Sequence, residues 1–346
     1  MKKNIGKLLV LLMLLTTVLT ACGSKENKST SSDSKEAETT LHLVTAHNQT
    51  STDNPYQVGL VKFKEYVEEA SGGKITVEVH NGSIGTNESE LVEKLSLGAA
   101  DIVIASPAFM TSVGVNEIDM LSLLYLWDNF DHWNNNLTGE FGDKMKEIIN
   151  EKTNNQFKVI SYWSSGVRNF YGKKPLVEPE DAKGLKIRTQ NSQVQKAFWE
   201  SCGAIPTPVD WNELYQALQQ GVVDGSENDY TNLMQKDHHK TKNGHYISET
   251  AHDYTTRLVL MNGSKFDSLT DEQKTLITEA MNKATNDEIA EVKRMLEESK
   301  NKVIADGAEV VEPNVEAFKK LALPIQDEFA KKNNMEDLLN MVRNSK

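Results

Sequence analysis

The stretch GLKIRTQNSQVQKAFWESCGAIPTPVDWNELYQALQQGVVDGSENDY at residues 184–230 has the most informative pattern in the chain. It predicts a short strand ending on Arg188, an amphipathic helix, a turn marked by prolines, a second helix from about Asn212 and a strand at residues 222–223. This alternation of strands and helices predicts an α/β fold.

Three side chains in this stretch are candidates for a ligand site. Ligands of open α/β sheets bind in the crevice at the carboxyl ends of the strands, where this pattern places Arg188, Trp211 and Asn228. A guanidinium matches a carboxylate with two parallel hydrogen bonds, an indole offers an apolar face, and a carboxamide offers a donor and an acceptor. The set suits one small acid. In the alternative, all three are structural: Arg188 forms a surface salt bridge, Trp211 lies in the core and Asn228 is a turn residue.

The runs GLKIR and PTPVDWNELYQALQQGVVDG, with the SEN that follows, resemble the signature region of the substrate-binding proteins of TRAP transporters, the tripartite ATP-independent periplasmic family for organic acids. Further blocks match this family in the same order, from about His42 to the C-terminus. The resemblance implies a two-domain, periplasmic-binding-protein-like α/β fold of the class II type. Such a fold has central sheets flanked by helices, a cleft between the domains and a long helix spanning both.

The domain division implied by this resemblance is discontinuous. Domain I comprises residues 41–165 and about 252–290, and domain II comprises residues 166–251 and about 291–346. Thr270 and Gln273 form a capping box that predicts a helix start, and neither proline nor glycine follows before Gly307. About 36 residues at ~1.5 Å each give a helix of ~54 Å, long enough to span both domains.

The first 40 residues predict an exported, lipid-anchored protein. Residues 1–21 have a basic start and the apolar run LLVLLMLL, which is too short to span a bilayer and indicates a signal peptide. The following LTAC resembles a lipobox, in which Cys22 becomes the lipid-bearing first residue of the mature chain. Residues 22–40, with no apolar residue larger than alanine after Cys22, are predicted to be a flexible linker between membrane and domain.

Charge and cysteine content narrow the choice of partners. The chain has 38 basic and 50 acidic residues and a formal net charge of −12, which argues against nucleic acid. A local cationic site can still bind a small anion under an unfavourable overall charge. Cys202 has no partner once Cys22 is modified, so we expect no intramolecular disulfide and a small buried side chain.

Signatures of catalysis are missing from the sequence. There is no GxSxG elbow, P-loop, GxGxxG or HExxH, and no nucleophile is paired with an adjacent base. The histidines His238, His239, His245 and His252 lack the spacing of zinc ligands. We therefore predict a monomeric binding protein without cofactor or metal, and not an enzyme.

Polar residues beside the predicted strand ends are further candidates for the crevice. His47, Asn48 and Gln49 follow the first strand, and Gln49 lies near where the resembled family often places an amide on the ligand; an ordinary turn is the alternative. Glu88 opens a helix, where it either favours the helix dipole or accepts a hydroxyl of a sugar-like ligand. Ser106 follows another strand and should face the same crevice.

Two candidates rest on the resemblance alone. Arg168 matches a second arginine of the family, which implies that it clasps the same carboxylate as Arg188 or binds a distal oxygen. Tyr254 belongs to the segment that crosses between the domains in this family, so it either reaches the cleft or packs at the hinge.

These features predict an extracytoplasmic solute-binding lipoprotein that closes two domains on a small organic acid and delivers it to the membrane subunits of a TRAP transporter. Polar groups beside an indole favour a hexuronate such as glucuronate or galacturonate over a C4-dicarboxylate, which would need more cations. C4-dicarboxylates, other sugar acids and sialate are the alternatives. A lipid-anchored hydrolase and a structural surface lipoprotein are the rival classes.

Overall fold

The strands within residues 41–345 form two separate β-sheets. The computed structural model describes residues 41–345. The strands of these residues are Leu41–His47 (β1), Ile75–Asn81 (β2), Ile102–Ala105 (β3), Phe157–Trp163 (β4), Val167–Gly172 (β5), Lys186–Thr189 (β6), Ile205–Pro208 (β7), Gly225–Asn228 (β8), Tyr246–Tyr254 (β9), Arg257–Asn262 (β10) and Glu309–Val311 (β11).

Helices cover both sheets. They are Pro55–Ala70 (α1), Glu88–Ser96 (α2), Pro107–Met110 (α3), Phe130–Leu137 (α4), Glu140–Lys152 (α5), Gln193–Ser201 (α6), Leu214–Gln220 (α7), Tyr230–Gln235 (α8), Gly263–Ser268 (α9), Asp271–Ala305 (α10), Val315–Asn333 (α11) and Glu336–Asn344 (α12). Short 3-10 turns lie at Thr111–Val113, Asn116–Ser122, Pro179–Ala182, Trp211–Glu213 and His238–Lys240.

Strand direction decides which residues meet at the edge of each sheet. The first sheet has the order β2-β1-β3-β10-β4, in which β1 is parallel to β2 and β3 while β10 is antiparallel to β3 and β4. The second sheet has the order β11-β9-β5-β8-β6-β7, in which β6 is parallel to β7 and β8 while β5 is antiparallel to β8 and β9. The first residues of β5 and β10 therefore lie beside the last residues of the parallel strands.

The predicted α/β class is confirmed, but one strand of the stretch 184–230 was placed wrongly. Residues 222–223 lie in a turn, because the backbone N of Val222 and that of Val223 donate to the carbonyl oxygen of Ala217 and close the end of α7. The strand is Gly225–Asn228, whose residues are all buried. Residues 205–208, expected as a turn, form β7 and pair in parallel with β6. Buried polar residues do not produce the apolar pattern that marks a strand in sequence.

The predicted long helix is confirmed as α10, which has 35 residues. The capping box forms: the backbone N of Gln273 donates to Oγ1 of Thr270 at 3.2 Å, and that of Thr270 donates to Oε1 of Gln273 at 3.0 Å. The first half of the helix buries Ile277 and Met281 in a core beneath the first sheet. Near its end it buries Val303 in a core beneath the second sheet, so one rigid element joins both.

The predicted domain boundaries stay a prediction. Strands of the first sheet lie within residues 41–163 and 257–262, and those of the second within 167–254 and 309–311. All of the described residues belong to one compact unit. The sequence assigns α12 to domain II, whereas Leu339 and Val342 of this helix pack into a core of the first sheet.

The predicted signal peptide, linker and lipidation site at Cys22 lie outside the described residues. Within residues 41–345, no helix has both the length and the apolar character that a membrane crossing requires.

Glu288, near the middle of α10, has a fully buried carboxyl group. Its Oε1 accepts a hydrogen bond from the backbone N of Ser164 at 3.3 Å, and its Oε2 has no partner in the described part of the chain. Burial raises the pKa of Glu288 well above its usual value. The folded protein therefore keeps this carboxyl protonated at pH values where the unfolded chain ionises it.

We expect Glu288→Gln to raise the free energy of unfolding at neutral pH. In wild type, ionisation of the unfolded chain lowers the stability as pH rises from the unfolded pKa toward the raised folded pKa, by up to about 1.4 kcal/mol per pH unit. Glutamine has the same shape and cannot ionise. Urea unfolding at pH values between about 4.5 and 7.5 should show a difference that widens as pH rises. A variant that is less stable than wild type at neutral pH would contradict this expectation.

Candidate functional site

A cavity of about 320 Å³ lies between the two sheets, at the edge where their strands end. The loop after β1, the first turn of α2 and the start of β10 form its wall on the first sheet, and the ends of β6, β7 and β8 form the wall on the second. Small-molecule sites have volumes of ~300–1,000 Å³. The cavity therefore has the size and position of a binding site for a small ligand.

The structure brings most of the residues predicted from sequence to this cavity. Those that line it are Asn48, Gln49, Glu88, Arg188, Trp211 and Asn228. His47, Ser106, Arg168 and Tyr254 are not among its lining residues. A ligand role for each of these residues stays a prediction. The residues differ in whether their polar atoms are free at the cavity or already bonded within the protein.

Arg188 presents a buried cation to the cavity. It is 4 % exposed, and its Nε donates to the carbonyl oxygen of Val209 at 2.9 Å. Within residues 41–345 its two Nη groups have no hydrogen-bond partner, and no carboxylate forms an ion pair with it. Burial lowers the pKa of Arg188, yet an arginine side chain stays protonated in proteins. The guanidinium is thus charged and has donors to spare for a ligand.

Trp211 forms an aromatic wall beside this guanidinium. The Cζ of Arg188 lies 5.9 Å from the centroid of the indole, and the centroid of the His238 ring lies 5.1 Å from it in a T-shaped arrangement. Burial lowers the pKa of His238 to about 3, so that this ring is neutral. The Nε1 of Trp211 donates to Oε1 of Gln49 at 3.3 Å, which links the second sheet to the loop after β1.

Asn228 ends β8 with its amide in a fixed orientation. Its Oδ1 accepts from Nη1 of Arg168 at 3.0 Å and from the backbone N of Asp229 at 2.9 Å. Because the oxygen is occupied by two donors, the Nδ2 group is left as a donor at the cavity.

The loop after β1 contributes amides but not the imidazole. Gln49 Nε2 donates to Asn48 Oδ1 at 3.3 Å, which leaves the Nδ2 of Asn48 unpaired within the described chain. His47 bonds through Nε2 to Oε1 of Gln57 at 2.8 Å and accepts through Nδ1 from the backbone N of Gln49 at 3.2 Å. Burial lowers the pKa of His47 to about 4. The imidazole therefore shapes the loop with both nitrogens occupied.

Glu88 lies in the first turn of α2, as predicted, and also lines the cavity. Its Oε2 accepts from the backbone N of Ser106 at 2.6 Å and from the Ser106 hydroxyl at 2.5 Å. The same hydroxyl accepts from Nε2 of Gln190 at 3.0 Å. Ser106 is fully buried and holds the carboxylate of Glu88 from the side away from the cavity.

Arg257, the first residue of β10, lines the cavity and was missed in the sequence analysis. It is 6 % exposed and its Nε lies 3.9 Å from Oε1 of Glu88. Leu258 pairs with Ala105, the last residue of β3, because β10 runs antiparallel to β3. The sequence did show an arginine as the first residue of a predicted strand, and this feature could have identified Arg257. Other lining residues that were missed are Asn87, Phe109, Thr189, Gln190, Asn191, Pro208, Val209, Asp210, Glu213 and Asn232.

Arg168 lies behind the cavity wall in a buried ion pair with Glu227. Its Nε donates to Glu227 Oε2, and its Nη2 donates to Oε1 and to the carbonyl oxygen of Glu227 at 2.8 and 2.9 Å. Its Nη1 donates to Asn228 and, at 3.4 Å, to Oγ1 of Thr255. All three nitrogens are therefore engaged within the protein, unlike those of Arg188.

Acidic groups around Arg168 compensate the positive charge of its guanidinium. Burial acts to raise the pKa of Glu227, but the Arg168 charge outweighs it and holds that pKa at about 2. Burial lowers the pKa of His252, which lies 3.3 Å from Oε2 of Glu227. Burial also raises the pKa of Asp253 to about 8. Arg168 thus has an ion-pair partner in Glu227 and a further acidic neighbour in Asp229, whereas Arg188 has no ion-pair partner within residues 41–345.

Tyr254 is half-buried at the end of β9. Its ring lies 6.3 Å from that of Phe130 and packs against a core of the first sheet. The structure thus places it in the packing between the sheets rather than on the cavity wall.

Metal-binding residue types and Cys202 were the other candidates for chemistry in the described part of the chain. No group of three or more His, Cys, Asp or Glu side chains in residues 41–345 is arranged to hold a metal ion. Cys202 is free and buried, and burial raises the pKa of its thiol to about 12. The reactive thiolate is therefore not formed at neutral pH.

Comparison with known families gives one match that covers most of the chain. Residues 45–333 match the DctP model, described as bacterial extracellular solute-binding protein, family 7. Among curated relatives, the C4-dicarboxylate-binding periplasmic protein DctP of Rhodobacter capsulatus is 28 % identical over 284 residues, which cover 81 % of this chain and 84 % of the relative.

Solved structures of TRAP periplasmic solute-binding proteins have the same fold. One from Sulfitobacter sp. NAS-14.1 with bound β-D-galacturonate has a TM-score of 0.81 and 28 % identity, and covers 88 % of this chain and 99 % of that one. One from Anaerococcus prevotii with bound α/β D-glucuronate has a TM-score of 0.82 and 26 % identity, and covers 88 % and 98 %.

Proposed function

The chain belongs to family 7 of the bacterial extracellular solute-binding proteins, and we propose that it captures a hexuronate outside the cytoplasm and delivers it to the membrane subunits of a TRAP transporter. Membership of this family makes the chain a solute-binding protein. We further propose that it has no catalytic turnover and that it works as a monomer.

The observation that carries the proposal is the state of Arg188. Two unpaired Nη groups of a buried guanidinium face a cavity beside an indole. Leaving a buried charge unpaired is costly, whereas each charge-assisted hydrogen bond to a carboxylate is worth about 1.5–3 kcal/mol. A bound carboxylate would supply the missing partner, and the indole would pack against the apolar face of a sugar ring.

Asn228, Asn48, Gln49 and Glu88 extend this arrangement with donors and acceptors for hydroxyl groups. Arg168 supports the site indirectly in our proposal, because it fixes the amide of Asn228 and keeps its own charge paired with Glu227. A polyhydroxylated monocarboxylate uses all of these groups. The galacturonate and glucuronate bound to the two related structures favour the same class.

A C4-dicarboxylate is the second candidate, because the R. capsulatus relative carries that name. It would need a second cation free to bind its distal carboxylate. Arg257 is the other cavity arginine, and Glu88 lies 3.9 Å from it. Because Glu88 neutralises Arg257, the cavity has no second free cation among the described residues for a distal carboxylate. We therefore rank the hexuronate first.

The N-terminal sequence supports the place of action. We propose that residues 1–21 direct export, that Cys22 carries the lipid and that residues 22–40 tether the binding domain to the outer face of the membrane. Metabolic labelling with a fatty-acid probe should mark the full-length protein and leave Cys22→Ala unlabelled.

A thermal-shift screen tests the ligand class. We expect galacturonate or glucuronate to raise the melting temperature of the purified residues 41–346, since ligand at 100 times its Kd adds about 2.7 kcal/mol to the free energy of unfolding. Succinate, malate and sialate are the comparison ligands, and neutral glucose is the control without a carboxylate. Stabilisation by glucose equal to that by glucuronate, or no response to any acid, would contradict the proposal.

Recovery of the ligand separates binding from hydrolysis. Mass spectrometry of the ligand after incubation and denaturation of the complex should return the hexuronate unaltered. Appearance of a product that grows with incubation time would support a lipid-anchored hydrolase instead.

A further inference from the structure

We propose that Glu88 and Arg257 together form a hydroxyl-reading pair that selects hydroxylated monocarboxylates against dicarboxylates, and that the approach of the two cavity walls orients this pair through Gln190 and Ser106. This inference rests on the proposed function and concerns the wall of the same cavity that belongs to the first sheet.

Glu88 has one occupied and one available oxygen. The Ser106 backbone N and hydroxyl both donate to Oε2, at 2.6 and 2.5 Å. No hydrogen bond occupies Oε1 within residues 41–345, since Nε of Arg257 at 3.9 Å is beyond hydrogen-bonding distance. Glu88 is 5 % exposed and lines the cavity, so its second oxygen is a fixed acceptor there.

Arg257 supplies donors beside that acceptor. Its Nη1 donates to the carbonyl oxygen of Thr256 at 3.2 Å, and its Cζ lies 5.7 Å from the centroid of the Tyr56 ring. In the described chain neither its Nε nor its Nη2 has a hydrogen-bond partner. A hydroxyl oxygen about 2.8 Å from both Nε of Arg257 and Oε1 of Glu88 would donate to the carboxylate and accept from the guanidinium.

The net charge of the pair decides between ligand classes. One carboxylate and one guanidinium cancel, so this wall offers no net attraction to a second carboxylate, and Oε1 of Glu88 would repel it directly. Asp210 and Glu213, which lie exposed at the cavity, add further negative charge. The uncompensated cation of the cavity is Arg188, and one anionic group satisfies it. The pair thus rejects a dicarboxylate by repulsion as well as by the missing cation.

A hydrogen-bonded relay connects the pair to the opposite wall. Gln190, two residues after Arg188, donates through Nε2 to the Ser106 hydroxyl at 3.0 Å, and that hydroxyl donates to Oε2 of Glu88. Gln190 follows a strand of the second sheet, while Ser106 and Glu88 belong to segments around the first. The hydroxyl of Ser106 is therefore oriented when the two walls approach, which aligns the available oxygen of Glu88 with the ligand.

Calorimetric titration of Glu88→Gln with galacturonate, glucuronate and succinate tests the inference. We expect the variant to bind the hexuronates at least tenfold more weakly and succinate at least as tightly as wild type, because Arg257 is no longer neutralised. The ratio of the hexuronate to the succinate Kd should rise by a factor of ten or more. Glu93→Gln, which changes an exposed carboxylate elsewhere on α2, should leave the ratio unchanged.

Arg257→Gln is the second variant and keeps the test decisive if Glu88→Gln does not fold. It should weaken hexuronate binding by a similar factor without improving succinate binding. Ser106→Ala should weaken the hexuronates but not acetate or propionate, which have no hydroxyl to place.

The outcomes separate this inference from the proposed function. If wild type binds neither hexuronates nor succinate, the proposed function fails. If wild type binds a hexuronate and both Glu88→Gln and Arg257→Gln keep the wild-type ratio, the hydroxyl-reading pair is overturned while the proposed function stands. A wild-type preference for succinate overturns the pair as well.

Discussion

Arg188→Ala is expected to abolish the stabilisation of the protein by its organic acid ligand. The two unpaired Nη groups of Arg188 are the donors that a carboxylate would occupy in this buried cavity. Two charge-assisted hydrogen bonds at about 1.5–3 kcal/mol each correspond to a loss of roughly 10²–10⁴ in affinity. Titration calorimetry and thermal shift with glucuronate measure the effect.

The ligand-free stability of this variant gives an independent check. Burial lowers the pKa of Arg188, which means that its charged form is disfavoured in the folded protein. We therefore expect the cost of this buried charge to offset the loss of the Val209 hydrogen bond and of the Trp211 contact, so that Arg188→Ala unfolds at about the wild-type urea concentration in the absence of ligand. Arg188→Lys is the matched control: it retains a cation but not the planar fork, and should recover only part of the affinity. Wild-type affinity in Arg188→Ala would return Arg188 to a structural role.

Glu227→Gln should cause the largest loss of stability among single changes in this cluster. The variant leaves the fully engaged guanidinium of Arg168 without its ion-pair partner in a buried site. Breaking one partner of a buried ion pair costs about 3–5 kcal/mol. Ionisation of nearby Asp253, whose pKa burial raises to about 8, would offset part of this loss. Urea unfolding at neutral pH measures the difference from wild type.

The effect of Glu227→Gln should depend on pH in a defined direction. Arg168 holds the pKa of Glu227 at about 2, below its usual value, despite the opposing effect of burial. A carboxylate with a depressed pKa contributes stability that is fully present above its unfolded pKa and is lost as pH falls toward the folded pKa. The part of the gap that comes from Glu227 should be fully present above about pH 5 and shrink between about pH 4.5 and 2. Where Asp253 ionises in the variant, the gap should also narrow as pH rises toward 8, because wild type keeps Asp253 protonated there.

A double variant distinguishes an unpaired charge from lost packing. Arg168→Met combined with Glu227→Met removes both charges, and we expect it to be more stable than Glu227→Gln alone. If the double variant is instead less stable than the single one, the ion pair contributes net stability, and an unpaired charge on Arg168 is not the main cause of the loss in Glu227→Gln.

Part of the site could be found from sequence because it follows the ends of parallel strands. Arg188, Asn228 and the loop with Asn48 and Gln49 each come directly after apolar or signature segments, and the cavity lies where those strands end. The long helix α10 was equally accessible, since its capping box and uninterrupted sequence are local features. In these cases the relevant information is carried by neighbouring residues.

The pairing of buried polar side chains could not be predicted from the sequence in the same way. Arg168 and Arg188 are both arginines at strand ends, yet one is engaged by Glu227 and Asn228 and the other is not. Arg257 reaches the cavity because β10 returns antiparallel beside β3. The shift of the last strand in the stretch 184–230 has a related origin, because β8 buries polar side chains that pair with other strands.

The sequence by itself determined the α/β class, the family resemblance and part of the cavity lining, because periodicity, capping and strand ends are features of adjacent positions. Only the tertiary structure decided which guanidinium remains unpaired and which carboxylate stands beside which cation. Those relations depend on strands brought side by side from distant positions, such as Arg168 and Asn228, which are 60 residues apart. No local pattern of polarity encodes such contacts.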